Sequence, residues 1–495
     1  MVKKVLSFDF GASSGRAVLG TYDGNVIQIK EVHRFKNEPI TLNNTLCWDI
    51  DKLFFEVKKV LKEIGKTMTI DSIGIATWGV DFGLLDKDGE LIHNPVHYRD
   101  PRTEGILEEV EKYFSQKELY ELTGNQIIFF NTIFQLAYLK KYKEKELEKT
   151  ESLLLMPDLF NYLLTGVKRA EETIASTTQL FDPYKKTWNK EIIRTMGFPV
   201  DIFQELVKPG ETIGTISDEL SQELEISKIP VIATTSHDTA SAAVSVPASN
   251  DEFLFISCGT WSLVGTELNS PVITPTTSTY NITNESGFND ASLFMKNVTG
   301  LWVLEETKKQ MEKEGRKYSY NEITRIAKEA KAFNCFIDTD HPDFQLSGNM
   351  ALKIMEYAKK TNQPIPVTDG EIFRTIYESL AMKYRFVFEE IMECTGSRYK
   401  QVHMVGGGSQ AEILCQMVAN ASDIEVLAGP VEATVIGNIA VQLISQKVIQ
   451  DVSEAREIIK RSFDMKVYHP QQHKEWNAQY DGFKDILLDG QREGS

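Results

Sequence analysis

The residues best suited to chemistry lie in glycine-containing turns that follow apolar runs. Asp9 lies near the end of the first of these runs, and after Phe10 come small residues from Gly11 to Gly15. Small residues let a backbone approach a ligand closely, and successive N–H groups in a tight turn form a concavity that binds anions. A carboxylate at the entrance to such a turn can hold a magnesium ion through water. A Gly/Ser hairpin taken alone is also an ordinary structural turn, so this pattern needs support from elsewhere in the chain.

Two further glycine turns supply that support. Residues 253–265 repeat the pattern of residues 5–20, with an apolar strand, a turn of Gly and small hydroxyl residues, and a second apolar strand. Residues 406–408 are three consecutive glycines that follow another apolar strand. Three glycines lose more backbone entropy on folding than an ordinary turn requires, so we expect a ligand to approach the backbone there. Together the three turns favour a phosphate-binding protein.

Asp238 is the candidate for a general base. It follows His237 where a β-rich run meets a helix of small residues, over positions 231–243. In phosphoryl transfer a carboxylate accepts the hydroxyl proton as the bond to phosphorus forms. Asp is also a common N-cap residue of helices, so a structural role is the alternative. The spacing leaves both roles open, and His237 by itself favours packing over catalysis.

The elements that must position these residues alternate between strand-like and helix-like segments, which indicates an α/β fold. Apolar residues recur at helical spacing from 51 to 64, with Gly65 as a stop signal. A longer helix is predicted to begin at a capping box from Thr368 to Glu371 and to end before Gly396.

The two similar hairpins predict two domains of similar plan. One hairpin opens each half of the chain, and turn-forming residues at 246–251 lie between the halves. We therefore predict an N-terminal domain at residues 1–245 and a C-terminal domain at residues 246–495.

Composition and charge exclude several classes of protein. The chain has 495 residues, with 54 Lys or Arg against 71 Asp or Glu, and its net charge of −17 argues against a nucleic-acid binder. No stretch approaches the roughly 18 apolar residues that a membrane span needs. Five scattered cysteines form neither a disulfide framework nor a zinc site. We expect a cytoplasmic protein with no nucleic-acid or membrane partner, and the sequence leaves its oligomeric state open.

Taken together, these segments resemble the FGGY carbohydrate kinases over nearly the whole chain. Residues 8–16 resemble the first phosphate loop of that family, residues 259–263 the second, and residues 405–408 the adenosine loop. Other segments resemble the branch of the family that acts on L-rhamnulose, at residues 77–82, 98–100, 155–158, 176–180, 236–241, 296–302 and 429–434. Each segment is short, but their common order along the chain makes chance a poor explanation.

The resemblance implies an α/β fold with two actin-like, ribonuclease-H-like domains that enclose a catalytic cleft. The first domain would bind mainly the sugar, and the second mainly ATP. The implied reaction transfers the γ-phosphoryl group of ATP, with Mg²⁺, to the C1 hydroxyl of L-rhamnulose during L-rhamnose breakdown.

The resemblance also implies roles for individual residues. Asp238 would accept the proton of the sugar hydroxyl, and Asp9 would help to position magnesium. The implied sugar contacts are Gly79, His237, Asp238, Thr239 and Asn297. The implied ATP contacts are Ala12, Ser13, Ser14, Gly15, Arg16, Thr260, Glu305 and Gly407.

Two positions depart from the family pattern and leave the nucleotide preference open. Glu305 stands where related kinases can carry Gln, and a carboxylate accepts hydrogen bonds but cannot donate them. Ala411 stands where many family members have Asn near the adenine.

Two other functions remain as alternatives. The first is a kinase of the same family for another ketose or a polyol, such as xylulose or fuculose. The second is a non-metabolic ATPase of the actin or chaperone type, which shares the phosphate hairpins but needs no hydroxyl-activating base. The junction at residues 237–239 and the segment at residues 77–82 favour the sugar kinases over the ATPase.

Overall fold

The structure is a computed structural model that describes residues 2–250 and 252–493, with side chains as far as Leu487. Strands and helices alternate along the chain, as predicted for an α/β protein. Within the described residues, no helix is both long enough and apolar enough to cross a membrane.

The strands, in chain order, are β1 Lys3–Phe10, β2 Ser14–Tyr22, β3 Ile27–Lys36, β4 Ile40–Leu42, β5 Thr45–Cys47, β6 Ser72–Thr77, β7 Phe82–Leu85, β8 Ser152–Leu155, β9 Ala170–Glu171, β10 Phe181–Asp182, β11 Thr187–Trp188, β12 Leu206–Val207, β13 Thr212–Thr215, β14 Pro230–Ile232, β15 Leu254–Cys258, β16 Trp261–Leu268, β17 Thr283–Ser286, β18 Ser292–Thr299, β19 Gln401–Val405, β20 Glu425–Ala428 and β21 Lys466–Tyr468.

The α-helices, in chain order, are α1 Ile50–Gly65, α2 Leu107–Glu111, α3 Gln116–Thr123, α4 Thr132–Tyr142, α5 Glu144–Glu148, α6 Met156–Thr165, α7 Glu172–Ala175, α8 Lys190–Thr195, α9 Asp218–Leu224, α10 Asp238–Val244, α11 Pro275–Thr279, α12 Trp302–Lys313, α13 Tyr320–Glu329, α14 Pro342–Gln345, α15 Met350–Lys360, α16 Asp369–Thr395, α17 Glu412–Ser422, α18 Ala433–Ser445, α19 Val452–Ser462 and α20 His473–Glu493.

The chain forms two compact units, and each is assembled from separate segments. The first unit contains Met1–Ser249, Glu267–Phe294 and Ala433–Ser462. The second contains Asn250–Thr266, Met295–Glu432 and Phe463–Ser495. Two segments from the C-terminal half therefore belong to the first unit, which no local sequence pattern indicates. The division between domains at residues 245 and 246 stays a prediction.

The first unit is built on a six-stranded sheet in the order β13-β14-β6-β1-β2-β3. Strands β1 and β2 form the predicted antiparallel hairpin, and β6 pairs in parallel with β1. Leu6, Phe8 and Phe10 of β1 belong to one buried cluster with the apolar face of α1, whose predicted helical pattern at residues 51–64 is confirmed. The ring of Phe10 stacks on Phe160 of α6 at 4.5 Å between centroids. This packing fixes the strand end that carries Asp9.

The second unit contains strands in the order β18-β16-β15-β19-β20-β21. Strands β15 and β16 form the second predicted hairpin, and β19 is parallel to β15. The long helix α16 begins at the predicted capping box of Thr368 and Glu371, and Gly396 ends it in the left-handed conformation with φ of 68°. The apolar residues that recur at helical spacing along it, from Ile372 to Ile391, are buried.

Candidate active site

Asp9 and Arg16 lie side by side at the end of the first hairpin. The strand register pairs Asp9 with Arg16, and both side chains are largely buried. The Arg16 guanidinium contacts Asp9 Oδ2 through Nε at 2.9 Å and through Nη2 at 2.8 Å. Charge-assisted pairs of this kind are strong and directional, so the pair gives the carboxylate one orientation.

Hydrogen bonds from backbone and side-chain amide groups fix the tip of the first hairpin. The Gly11 N–H donates to the Ser14 carbonyl at 2.9 Å, and Asn37 Nδ2 donates to the Gly11 carbonyl at 2.8 Å. Ala12 and Ser13 are exposed at the tip. Exposed small residues at a fixed turn can present backbone N–H groups to a phosphate.

Two of the predicted ligand-contacting glycines have a packing reason as well. A Cβ on Gly15 would lie 2.3 Å from the ring of Phe35, so a larger residue cannot fit without moving that ring. A Cβ on Gly79 would lie 3.1 Å from the side chain of Thr177, which is a tighter contact than usual. Packing alone therefore explains Gly15 and favours a small residue at Gly79.

Asp238 is the first residue of α10, and the N-cap position belongs to His237. The alternative N-cap role for Asp238 is therefore wrong. Its carboxylate accepts a hydrogen bond from Thr239 Oγ1 at 3.2 Å, and 34% of its side chain is exposed. Burial raises the pKa of Asp238, the nearby Asp9 carboxylate raises it further, and His237 opposes both. A carboxylate with a raised pKa and an accessible edge is suited to accept a proton.

The strand ends and a close helix contact fix the position of Asp238. The Thr77 N–H at the end of β6 donates to the Ser236 carbonyl at 2.9 Å. Helix α18 packs directly on α10, because a Cβ on Gly437 would lie only 1.8 Å from the Ser241 carbonyl oxygen. This helix contact therefore requires glycine at position 437.

His237 is buried between two carboxylates. Its Nδ1 lies 3.0 Å from Glu285 Oε2, and its Nε2 lies 3.4 Å from Asp238 Oδ1. Burial lowers the pKa of His237, while the carboxylates of Glu285, Asp238 and Glu171 raise it, and the net shift of the pKa is upward. The sequence analysis did not identify Glu285. The strand that carries it, β17, has no recognisable motif, and Glu285 is far from His237 along the chain.

Glu171 is a second carboxylate that the sequence analysis did not identify, and it stabilises the turn that precedes His237. Glu171 is fully buried and accepts hydrogen bonds from the N–H and Oγ1 of Thr173 and from the N–H groups of Ile174 and Ser236. Burial raises the pKa of Glu171 to about 7, although these four donors favour its charged form. Glu171 thus ties the turn before His237 to the body of the first unit.

Asp81 organises the segment that follows β6. Its carboxylate accepts hydrogen bonds from the indole N–H groups of Trp48 and Trp78, from the Tyr98 N–H and from Gln135 Nε2. The rings of Trp48 and Trp78 lie 4.0 Å apart between centroids. Burial raises the pKa of Asp81 to about 6. The segment predicted to contact sugar is therefore rigid, and its polar centre is saturated by protein donors.

In the second unit the hairpin turn supports the start of α12. Gly259 and Thr260 are exposed at the tip of the hairpin. The Gly300 N–H donates to the Thr260 carbonyl at 3.1 Å, and the Leu301 N–H donates to the Gly259 carbonyl at 2.9 Å. Helix α12 begins at the next residue and places Glu305 in its first turn. Thr260 and Glu305 are thus connected through a short, hydrogen-bonded turn.

Glu305, Asn297 and Ala411 of the second unit differ in their contacts and in their exposure to solvent. Glu305 Oε1 accepts a hydrogen bond from the Tyr320 hydroxyl at 2.8 Å. Burial and this hydrogen bond raise the pKa of Tyr320 to about 12. Asn297 is half-buried on β18, and Ala411 lies in the turn that precedes α17.

The three consecutive glycines at 406–408 differ in what their surroundings demand of the side chain. Gly406 has φ of 81°, which favours glycine, and its N–H donates to the Pro430 carbonyl at 3.1 Å. A Cβ on Gly408 would lie 2.1 Å from Cys258 Sγ, so this position is closely packed. Gly407 is exposed, and a Cβ there would meet nothing within 4 Å. Only Gly407 is left without a packing reason, as a position kept small for a ligand would be.

Thr260 and Gly407 follow neighbouring strands of one sheet. Strands β15 and β19 are parallel, with Ser257 paired to Val405, so both turns lie at the same edge of the sheet. Ligands of open α/β sheets bind at the carboxyl ends of the strands. The second unit thus brings two of its predicted ATP contacts to one edge, and the first unit brings Asp9, Arg16, His237 and Asp238 to another.

Comparison with known proteins matches most of the chain to the two domains of one protein family. Residues 4–245 match the N-terminal domain of the FGGY family of carbohydrate kinases, and residues 254–445 match its C-terminal domain. The rhamnulokinase of Bacteroides thetaiotaomicron is 39% identical over 98% of this chain and 100% of its own length. The rhamnulokinase of Halalkalibacterium halodurans is 40% identical over 94% of this chain and 98% of its own length.

Solved structures share the fold at much lower identity. The ligand-bound xylulose kinase of Lactobacillus acidophilus superimposes with a TM-score of 0.83 at 16% identity, covering 98% of each chain. The glycerol kinase of Plasmodium falciparum with ADP gives a TM-score of 0.80 at 13% identity, covering 99% of this chain and 98% of its own. These likenesses establish the two-domain α/β fold of sugar kinases and leave the choice of sugar to other evidence.

Proposed function

The chain belongs to the FGGY family of carbohydrate kinases, and from that premise we propose that it phosphorylates L-rhamnulose at the C1 hydroxyl. The phosphoryl donor is ATP, as the kinase family implies. The observation that carries the choice of sugar is the end-to-end similarity to two proteins named rhamnulokinase, at 39% and 40% identity. The product would be L-rhamnulose 1-phosphate, an intermediate of L-rhamnose breakdown. The cytoplasmic location of the protein stays a prediction.

We assign the proton transfer to Asp238. Its carboxylate accepts the proton of the C1 hydroxyl while the hydroxyl oxygen bonds to the γ-phosphorus and the bond from phosphorus to the bridging oxygen of ADP breaks. The raised pKa of Asp238 brings its basicity closer to neutral pH, where a general base is most effective. Gly79, His237, Thr239 and Asn297 are the proposed sugar contacts that hold the hydroxyl against this base.

We assign ATP to the glycine turns. Small exposed residues at the hairpin tips and at Gly407 leave room for phosphates and nucleoside beside the backbone. The proposed contacts are Ala12, Ser13, Ser14, Gly15, Arg16, Thr260, Glu305 and Gly407. Sugar binding falls mainly to residues 1–245 in this assignment, and ATP binding mainly to residues 246–495.

Asp9 is the residue that we assign to magnesium. Asp9 Oδ2 lies 2.9 Å from Nε and 2.8 Å from Nη2 of Arg16, and the oriented carboxylate of Asp9 would hold Mg²⁺ through water. No group of three or more His, Cys, Asp or Glu side chains in the described part of the chain could hold a metal by itself. Mg²⁺ keeps most of its waters and binds through one or two carboxylates and substrate phosphates. When bound, Mg²⁺ neutralises phosphate charge that develops during transfer.

A coupled assay of ADP release over a panel of sugars tests the proposed function. The panel contains L-rhamnulose, xylulose, fuculose and glycerol, with ATP alone as the control. We expect kcat/KM to be highest for L-rhamnulose and ADP release without sugar to be slow. A higher kcat/KM for another member of the panel would assign the chain to that sugar, and a rate independent of sugar would favour the actin or chaperone type of ATPase.

A further inference from the structure

We propose that Glu285 is a positioning residue of this reaction. Its carboxylate, at ion-pair distance from Nδ1 of His237, orients the imidazole electrostatically, so that Nε2 faces the carboxylate of Asp238. The kinetic part of this inference rests on the proposed function, because it takes Asp238 as the base. The pairing of Glu285 with His237 can be tested without any turnover.

The geometry places one imidazole between two carboxylates. Only 9% of the His237 side chain and 11% of the Glu285 side chain are exposed, against 34% for Asp238. The two ring nitrogens lie 3.0 Å from Glu285 Oε2 and 3.4 Å from Asp238 Oδ1. An imidazole has only these two polar atoms, and a carboxylate oxygen lies within ion-pair distance of each of them. The accessible member of the three is the proposed base.

Residues on both sides of Glu285 are anchored by hydrogen bonds within the first unit. Thr283 Oγ1 donates to Glu285 Oε1 at 3.3 Å and accepts a hydrogen bond from Asn125 Nδ2 at 3.2 Å. The Ser286 N–H donates to Ser176 Oγ at 2.9 Å. A carboxylate on such a fixed strand can hold a ring in one orientation, as positioning requires.

A lysine also reaches β17, but it has a carboxylate of its own. Lys186 Nζ donates to Ser286 Oγ at 3.1 Å and lies 3.5 Å from Glu172 Oε1. Its charge is therefore matched by Glu172, and His237 is the titratable group whose ring nitrogen faces Glu285.

The charges around His237 and Asp238 determine in which direction loss of Glu285 would shift the pKa of Asp238. His237 is faced by Glu285, Asp238 and Glu171, which all stabilise its protonated form. Asp238 is faced by His237, which lowers its pKa, and by Asp9, which raises it. Loss of the Glu285 charge would lower the pKa of His237 and remove a cation from beside Asp238. The pKa of Asp238 would then rise, and the base would become protonated at a higher pH than in the native protein.

The kinetic test compares Glu285→Gln with Glu285→Asp. We expect Glu285→Gln to lower kcat about 10- to 100-fold, as loss of an orienting carboxylate behind a histidine does elsewhere. The KM for ATP should stay within about twofold, and the acid limb of the kcat/KM profile should move to higher pH. Glu285→Asp keeps the charge with a shorter reach, so it should restore the native acid limb at least in part.

Asp290→Asn is the matched control. Asp290 lies on the same segment of the first unit, but its side chain is 61% exposed and pairs with Lys208. This variant should keep the native kcat and the native pH profile. Native kcat and a native acid limb in Glu285→Gln would overturn the proposal, and so would a low kcat with an unchanged acid limb, which a merely structural role would give.

The pairing itself is tested by NMR titration of the histidine ring protons. The chain has only 8 histidines, and His237→Gln identifies the signal of His237. We expect the pKa of His237 to fall in Glu285→Gln and to stay native in Asp290→Asn. An unchanged pKa of His237 in Glu285→Gln would overturn the inference whatever the activity. If the native chain phosphorylates no sugar of the panel, the proposed function fails, and this titration still decides whether Glu285 holds His237.

Discussion

Asp238 and Asp218 are both the first residues of helices in the first unit, yet their surroundings differ. Asp218 opens α9, its side chain is 70% exposed, and it pairs with Lys228 at 2.8 Å. Asp238 is half as exposed and lies beside His237 and within electrostatic range of Asp9. A raised pKa and a site lined with charged groups mark functional carboxylates. Asp238 fits that description, and Asp218 is an ordinary surface acid.

This contrast predicts the outcome of removing each carboxylate. Asp238→Asn keeps the shape of the side chain but cannot accept the hydroxyl proton, so kcat should fall by about 10²–10⁴-fold. Binding of sugar and ATP should survive, which steady-state kinetics and calorimetric titration would measure. Asp218→Asn is the control and should leave kcat unchanged. Full activity in Asp238→Asn would remove Asp238 from the reaction.

The residues that the sequence could identify are those whose neighbours in sequence are also their neighbours in space. Asp9 lies two positions before a turn of small residues and Asp238 follows a histidine, so the sequence around each can be recognised locally. Glu285 and Glu171 come from β17 and β9 and reach His237 or Ser236 only through the tertiary fold. A carboxylate inside an ordinary strand carries no local signal of such a contact, so these two could not be found from the sequence.

At the scale of elements, the regular patterns were predicted well. The apolar spacing at residues 51–64 and the capping box at Thr368 correspond to α1 and α16, because amphipathic periodicity and capping are local properties. Both phosphate-type hairpins exist as antiparallel strand pairs. The assembly of the two units from separate segments was not predicted, since which strands share a sheet depends on contacts distant in sequence.

The triple glycine allows packing and ligand binding to be separated within one turn. Gly408→Ala places a Cβ against Cys258 Sγ, so it should lower the free energy of unfolding by about 1–3 kcal/mol. Gly407→Ala meets open space, so it should change stability by less than about 0.5 kcal/mol while raising the KM for ATP. Chemical denaturation and ATP titration of the rate measure these effects. A native KM for ATP in Gly407→Ala would remove Gly407 from the proposed site.

At the scale of the whole molecule, the net charge of −17 is compatible with an enzyme that uses ATP. A sugar is neutral, so the overall field does not oppose its approach. The arginine of the first hairpin is paired with Asp9, and the turns offer backbone N–H groups in place of a basic surface. Phosphate recognition in this account is therefore local, and the acidity of the chain carries no information about its substrate.

Identification of the product tests the central claim most directly. The native chain is incubated with L-rhamnulose, ATP and magnesium, and the product is examined by ³¹P and ¹³C NMR. We predict one phosphate ester formed for each ADP released, with phosphorus–carbon coupling that places the phosphate on C1. Inorganic phosphate without a sugar ester, or a phosphate on any other carbon of the sugar, would contradict the account.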